Sequence, residues 1–193
     1  MHCPRQVQPQ SSRPVPSSPF CSGTNLAVNG SFEEPVIGGG YVNVTNANMP
    51  GWTSSEGNFE VWKGGFLGKP SHSGTQLIEM NGIGAATLVQ ATQPVQPRGE
   101  LKVYWAHVGR NGPETASLVI ADNGGGSTNY GNFTSPAGPW TVRNTTHVVS
   151  PGASGATLTF TSIFPTTGTG NLLDSVEVCQ TYVTLAKAEG TRT

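Results

Sequence analysis

Apolar and polar residues alternate with a period of two in one segment of this chain after another. The clearest case is residues 156–162, where Leu158 and Phe160 alternate with Thr157, Thr159 and Thr161. Residues 101–107 likewise place Leu101, Val103 and Trp105 on one side. That period is the mark of a strand with one buried face and one wet face. Residues 26–28, 58–62, 76–80, 86–90, 115–121, 140–149 and 172–178 are the other strand candidates. Ala, Leu, Glu and Lys at helical spacing are scarce, so helices are expected to be minor. Many short strands without intervening helices predict an all-β fold, a two-sheet antiparallel β-sandwich.

Composition narrows the class of partner. Charged residues make up 11% of the 193 residues, well below the roughly 25% of an ordinary soluble protein. The formal net charge is −1, and there is no basic face for a phosphate backbone, so nucleic acid is not expected as a partner. No apolar run reaches the roughly 18 residues of a membrane-spanning helix. Low charge with many small polar residues suits an extracellular or cell-surface protein. Against that expectation, residues 1–20 show no apolar core of signal-peptide type.

Three units are expected. Residues 1–22 are Pro-, Ser- and Gln-rich and read as a disordered linker. Residues 23–182 hold the sandwich, and residues 183–193 form a C-terminal tail. Of the three cysteines, Cys21 lies just before the first candidate strand and Cys179 lies in the last one. In a sandwich whose first and last strands are neighbours these two could pair, leaving Cys3 over. The other reading is three separate thiols.

Several short motifs occur in order: Asn29-Gly30-Ser31-Phe32-Glu33, Pro50-Gly51-Trp52, Phe59-Glu60-Val61-Trp62, Gly74-Thr75-Gln76-Leu77-Ile78-Glu79, Ala106-His107-Val108-Gly109-Arg110 and Leu172-Leu173-Asp174-Ser175-Val176. Together they resemble the galactose-binding-like jelly-roll domains of bacterial extracellular proteins. They are also similar to carbohydrate-binding modules and to a plant cell-wall protein family. The resemblance covers roughly residues 24–180. It implies a jelly-roll sandwich and sets Glu33 and Asp174 side by side, where modules of this type hold a structural calcium, Ca2+. The residues alone also allow Glu33 to cap a turn and Asp174 to accept nearby backbone N–H groups.

Strand parity places the candidate binding residues. Phe59 and Val61 share one face of their strand, so Glu60 and Trp62 share the other. With the first pair in the core, Trp62 is expected to look outward beside its acidic neighbour, with Phe66 in the glycine-rich loop that follows. Sugars stack C–H faces on aromatic rings and give their hydroxyls to carboxylates and amides. Arg110 adds a planar fork of donors, Glu79 alternates against Ile78, and His107 ends a strong strand. The alternatives are an indole packed under its own loop, a structural Arg110 ion pair and a satisfied structural histidine. The expected function is non-catalytic binding of a polysaccharide or glycan through Trp62, Glu60, Arg110, Phe66, Glu79 and His107. The competing expectation is a structural or adhesive surface, matrix or virion-decoration protein that uses the sandwich for protein contacts or self-assembly. No nucleophile elbow or Cys/His metal spacing is recognisable; Glu60 and Glu79 could face each other on one sheet as the two carboxylates of a glycosidase do, but the sequence around them has no further signature, so no enzyme is expected.

Overall fold

The structure is a computed structural model that describes residues 20–22 and 24–181. Most of the expected linker, and the expected tail, lie outside these residues. Eleven strands follow one another: β1 (Tyr41–Thr45), β2 (Trp52–Ser54), β3 (Asn58–Lys63), β4 (Gln76–Glu79), β5 (Thr87–Ala91), β6 (Glu100–Val108), β7 (Glu114–Asp122), β8 (Ser127–Ser135), β9 (Thr141–Val148), β10 (Ala156–Phe164) and β11 (Leu172–Thr181). They form a six-stranded sheet in the order β1-β3-β4-β11-β6-β9 and a five-stranded sheet in the order β2-β5-β10-β7-β8. Neighbours in both sheets are antiparallel. The two inner faces bury one core, in which Trp52, Phe59, Val61, Trp105, Leu118, Leu158 and Phe160 meet. β7 and β10 alternate buried and half-buried positions along nearly their whole length, as a period of two requires.

Two features differ from the sequence reading. Residues 26–28 form no strand. Only a single bridge joins Asn25 to Cys179, beside a Leu26 N–H bond to the Val178 carbonyl at 2.8 Å. The chain then turns away, because Asn29 and Phe32 both take left-handed backbone conformations. The Asn29 side chain clamps that turn through the backbone N–H and carbonyl of Glu34. Gly30 is required there, since a side chain would run into the Val176 carbonyl of β11. Conversely, β1, β2 and β8 had no strand signal. All three are sheet edges, where little of the strand is buried and alternation is not demanded.

The structure joins Cys21 to Cys179 in a disulfide, across a sequence separation of 158. Phe20 lies stacked on Tyr104 of β6, with ring centroids 4.9 Å apart.

Candidate functional site

Parity set the faces of β3 as expected. Phe59 and Val61 enter the core, and Glu60 and Trp62 lie on the outer face of the six-stranded sheet. The expectation that Trp62 meets solvent is corrected: its exposure is 0%. A small second cluster of Trp62, Leu77, Val108 and Leu172 forms on this outer face, closed over by Phe66 and Trp140. The loop after β3 turns back at Gly65 in a left-handed conformation and lies across the sheet. Trp140 Nε1 donates to the Pro70 carbonyl at 2.9 Å, and Lys69 Nζ to the Gly109 carbonyl at 3.2 Å, which pins the loop down. Phe66 stands edge-on to the Trp62 ring at 5.0 Å.

Five of the six expected binding residues do converge, and they spend their polar groups on one another. Trp62 Nε1 donates to Glu60 Oε1 at 2.7 Å. Arg110 gives both Glu79 carboxylate oxygens a bond at 2.9 Å and lies 4.9 Å over the Trp62 ring. The Glu79 side chain is fully buried and that of Arg110 is 21% exposed. Burial raises the Glu79 carboxyl to about 7, against the opposing pull of Arg110 and of the Gly170 N–H. This arrangement rigidifies the sheet face and leaves only the outer edges of Glu60, Phe66 and Arg110 for a ligand. Trp62 is therefore a structural residue, and its removal would cost about 3–5 kcal/mol as a cavity.

His107 belongs elsewhere. It is buried on the core side, with Nδ1 on Ser135 Oγ at 2.8 Å and Nε2 on Asn171 Oδ1 at 2.9 Å. A fully enclosed, fully bonded imidazole cannot reach a sugar, so its place among the binding residues is corrected.

Glu33 and Asp174 occupy one neighbourhood, as the resemblance implied. Glu33 accepts the N–H groups of Thr75 and Gln76, each at 2.8 Å, and the Thr75 hydroxyl. Asp174, at a bulge of β11, accepts the N–H groups of His72, Ser73 and Ser175. Burial raises Asp174 to about 7, and the Glu33 charge adds to the effect. Among the described residues neither carboxylate forms an ion pair. Two hard-oxygen donors with uncompensated charge suit calcium in chemistry. In number, the N–H donors already occupy most of their lone pairs, and Glu33 keeps the freer oxygen. A separate convergence of Cys21, Glu177 and Cys179 is accounted for by the disulfide, whose sulfurs are not thiolates.

Sequence reasoning missed an open groove of about 360 Å³ at one end of the sandwich. It is lined by Asn111, Pro113, Phe164, Pro165, Thr167 and Thr169, among others. Phe164 is 59% exposed. Alternation after Phe160 and Ser162 would turn it inward, but the register slips between Ser162 and Phe164. Nothing in the local pattern announces that slip. Glu114 forms the floor: it accepts the N–H groups of Arg110, Asn111 and Asn171 and so holds the loops on either side together. Arg110 precedes Asn111 in the chain, and the Gly170 N–H after Thr169 bonds Glu79 at 2.6 Å. The groove is thus built directly on the Arg110–Glu79 pair.

No family model matches this chain, and no curated protein does. Solved structures match it in fold. The Stig cyclase Fisc from Fischerella sp. TAU superposes with a TM-score of 0.59 at 14% identity, covering 80% of this chain and 96% of that one. The carbohydrate-binding module TmCBM61, in complex with β-1,4-galactotriose, gives 0.51 at 18% identity over 81% of this chain and 98% of its own. The CBM22-1 xylan-binding domain of Paenibacillus barcinonensis Xyn10C gives 0.51 at 11% identity over 76% and 99%. At such identities the likeness is one of architecture. The chain is a two-sheet antiparallel β-sandwich with the jelly-roll architecture of these neighbours.

Proposed function

We propose that this domain binds carbohydrate without catalysis, outside the cell or at its surface, and that the end groove takes the sugar. The observation that carries the proposal is the exposed Phe164 ring beside a groove of polar side chains. An aromatic ring accepts the C–H face of a pyranose, while the Asn111 amide and the Thr167 and Thr169 hydroxyls suit its hydroxyl groups. One exposed ring and a shallow groove make a weak site, with dissociation constants on the order of 1 mM. Two neighbours in fold that are named for galactotriose and xylan support the reading. The disulfide supports an oxidising location.

The test is a pull-down on insoluble and soluble polysaccharides, galactan and xylan among them, with Phe164→Ala alongside. Because Phe164 is exposed, the variant should keep its melting midpoint and lose at least about tenfold in retention. Equal retention of both proteins would remove the groove from the account. Trp62→Ala is an unsuitable probe, since it would unfold the face rather than strip a ligand contact.

A second reading, a structural or adhesive role, draws support from Val142 and Val148, which are exposed on the edge strand β9. Ordered self-association in the same samples, with no sugar retained, would favour it. Calcium held by Glu33 and Asp174 is also part of the proposal. There it would neutralise the two carboxylates and tie the turn after residue 28 to β11, a structural role apart from the groove.

A further inference from the structure

We propose that the domain carries a second, small-ligand site, in the cleft between the two sheets along β8 and β9, and that it takes a single sugar ring bearing a carboxylate. β8 ends the five-stranded sheet and β9 ends the six-stranded sheet. No backbone ladder joins β8 to β9, and a cavity of about 190 Å³ lies there. It is lined by Trp105, Tyr130, Asn132, Phe133, Arg143 and Asn144, with Leu118 and Thr145.

Two of these lining residues carry a buried donor with no acceptor: the indole Nε1 of Trp105 and the guanidinium Nε of Arg143. Trp105 as a whole is 4% exposed. Buried N–H groups are paired in nearly all native structures, because an unpaired one forfeits its bonds to water. Two unpaired donors on one cavity call for an acceptor inside it, either solvent or a ligand that displaces solvent. The space far exceeds the roughly 30 Å³ share of one water molecule and falls below the range of drug-sized pockets. A single ring fits it.

Charge selects the ligand further. The remaining bonds of Arg143 go to the Thr134 carbonyl and to Ser135 Oγ, both neutral, and its guanidinium lies 5.4 Å over the Phe133 ring. Asp122, which acts on Tyr130 at a distance, is already taken by His147 Nε2 at 2.9 Å and by the Ser150 N–H at 2.7 Å. Tyr130 is likewise engaged, its hydroxyl on His147 Nδ1 and the Thr146 carbonyl. Among the described residues Arg143 forms no ion pair, and a carboxylate satisfies both the charge and the free Nε. Aromatic walls suit the ring, and the Asn132 and Asn144 amides at the exposed rim suit its hydroxyls. A uronate has this chemistry. The site stands on its own observations and does not depend on the end groove.

The test is ligand-observed NMR on the whole chain with sodium glucuronate and galacturonate, with glucose as the neutral ring and benzoate as the apolar carboxylate. Uronates should bind at least about tenfold more tightly than glucose and benzoate, as a charge-assisted hydrogen bond implies. Trp105→Phe keeps a six-membered aromatic ring and deletes the unpaired donor; it also trims a core side chain, so its melting midpoint should fall while the chain stays folded, and it should bind uronate about three- to tenfold more weakly. Arg143→Lys keeps the charge without the fork and should lose a similar factor. No uronate binding, equal binding of glucose or benzoate, or unchanged binding by both Trp105→Phe and Arg143→Lys would each overturn the proposal.

Discussion

His107 shows how one buried side chain ties stability to pH. Burial is the largest cause that lowers it to about 4, aided by the Arg143 charge and opposed by the Asn171 hydrogen bond. In the unfolded chain it titrates near 6.5. Between those values the unfolded chain takes up a proton that the folded chain refuses, so stability falls as pH falls from about 6.5 to 4. Glu79 and Asp174 run the other way. Raised to about 7, each contributes stability at low pH that is lost as pH rises toward neutrality. Comparing wild type with His107→Gln by urea unfolding at pH 7 and pH 4.5 separates these effects. The wild type should lose up to about 3 kcal/mol more than the variant on acidification; equal losses would mean that His107 titrates normally in the fold. Trp62 carries a different lesson at this scale. The alternation of Phe59 and Val61 was enough to assign its face, but the cover over that face comes from Phe66 and Trp140, the latter remote in sequence.

Elements succeeded or failed as predictions according to their place in a sheet. Central strands such as β6, β7 and β10 bury one face against the opposite sheet, and that burial writes alternation into their sequence. The edge strand β8, with the sequence STNYGNFTS, is exposed over most of its length and reads as loop. Both proposed ligand sites lie where regular pairing gives out. The groove follows the register slip near the end of β10, and the cleft lies between two edges. The first described segment is held to the last strand by the Cys21–Cys179 bond. A cross-link over so long a loop limits the unfolded chain strongly. The Cys21→Ser, Cys179→Ser double variant should unfold in guanidinium with a stability lower by about 2–5 kcal/mol. An unchanged midpoint would show that the bond does not form in solution.

For the molecule as a whole, the calcium proposal makes the most direct prediction. If Glu33 and Asp174 hold the ion in the folded state only, saturating calcium stabilises the fold by mass action. At a hundredfold its dissociation constant, the melting midpoint should rise by roughly 5–10 °C over that in chelator, and Asp174→Asn should abolish the rise. A midpoint indifferent to both additions would leave the carboxylates as turn clamps, a role their N–H partners already support. The sequence by itself determined the two-sheet architecture, the inward face of the central strands and the motif that begins at Asn29. Each follows from local geometry: a period of two in a half-buried strand, and the backbone freedom of glycine where chains touch. Tertiary structure alone decided which outer faces are covered, which polar groups pair and where donors are left without acceptors. Those outcomes depend on segments far apart in the chain, such as Arg110 with Glu79 or Trp105 with Arg143, and no local pattern encodes such meetings.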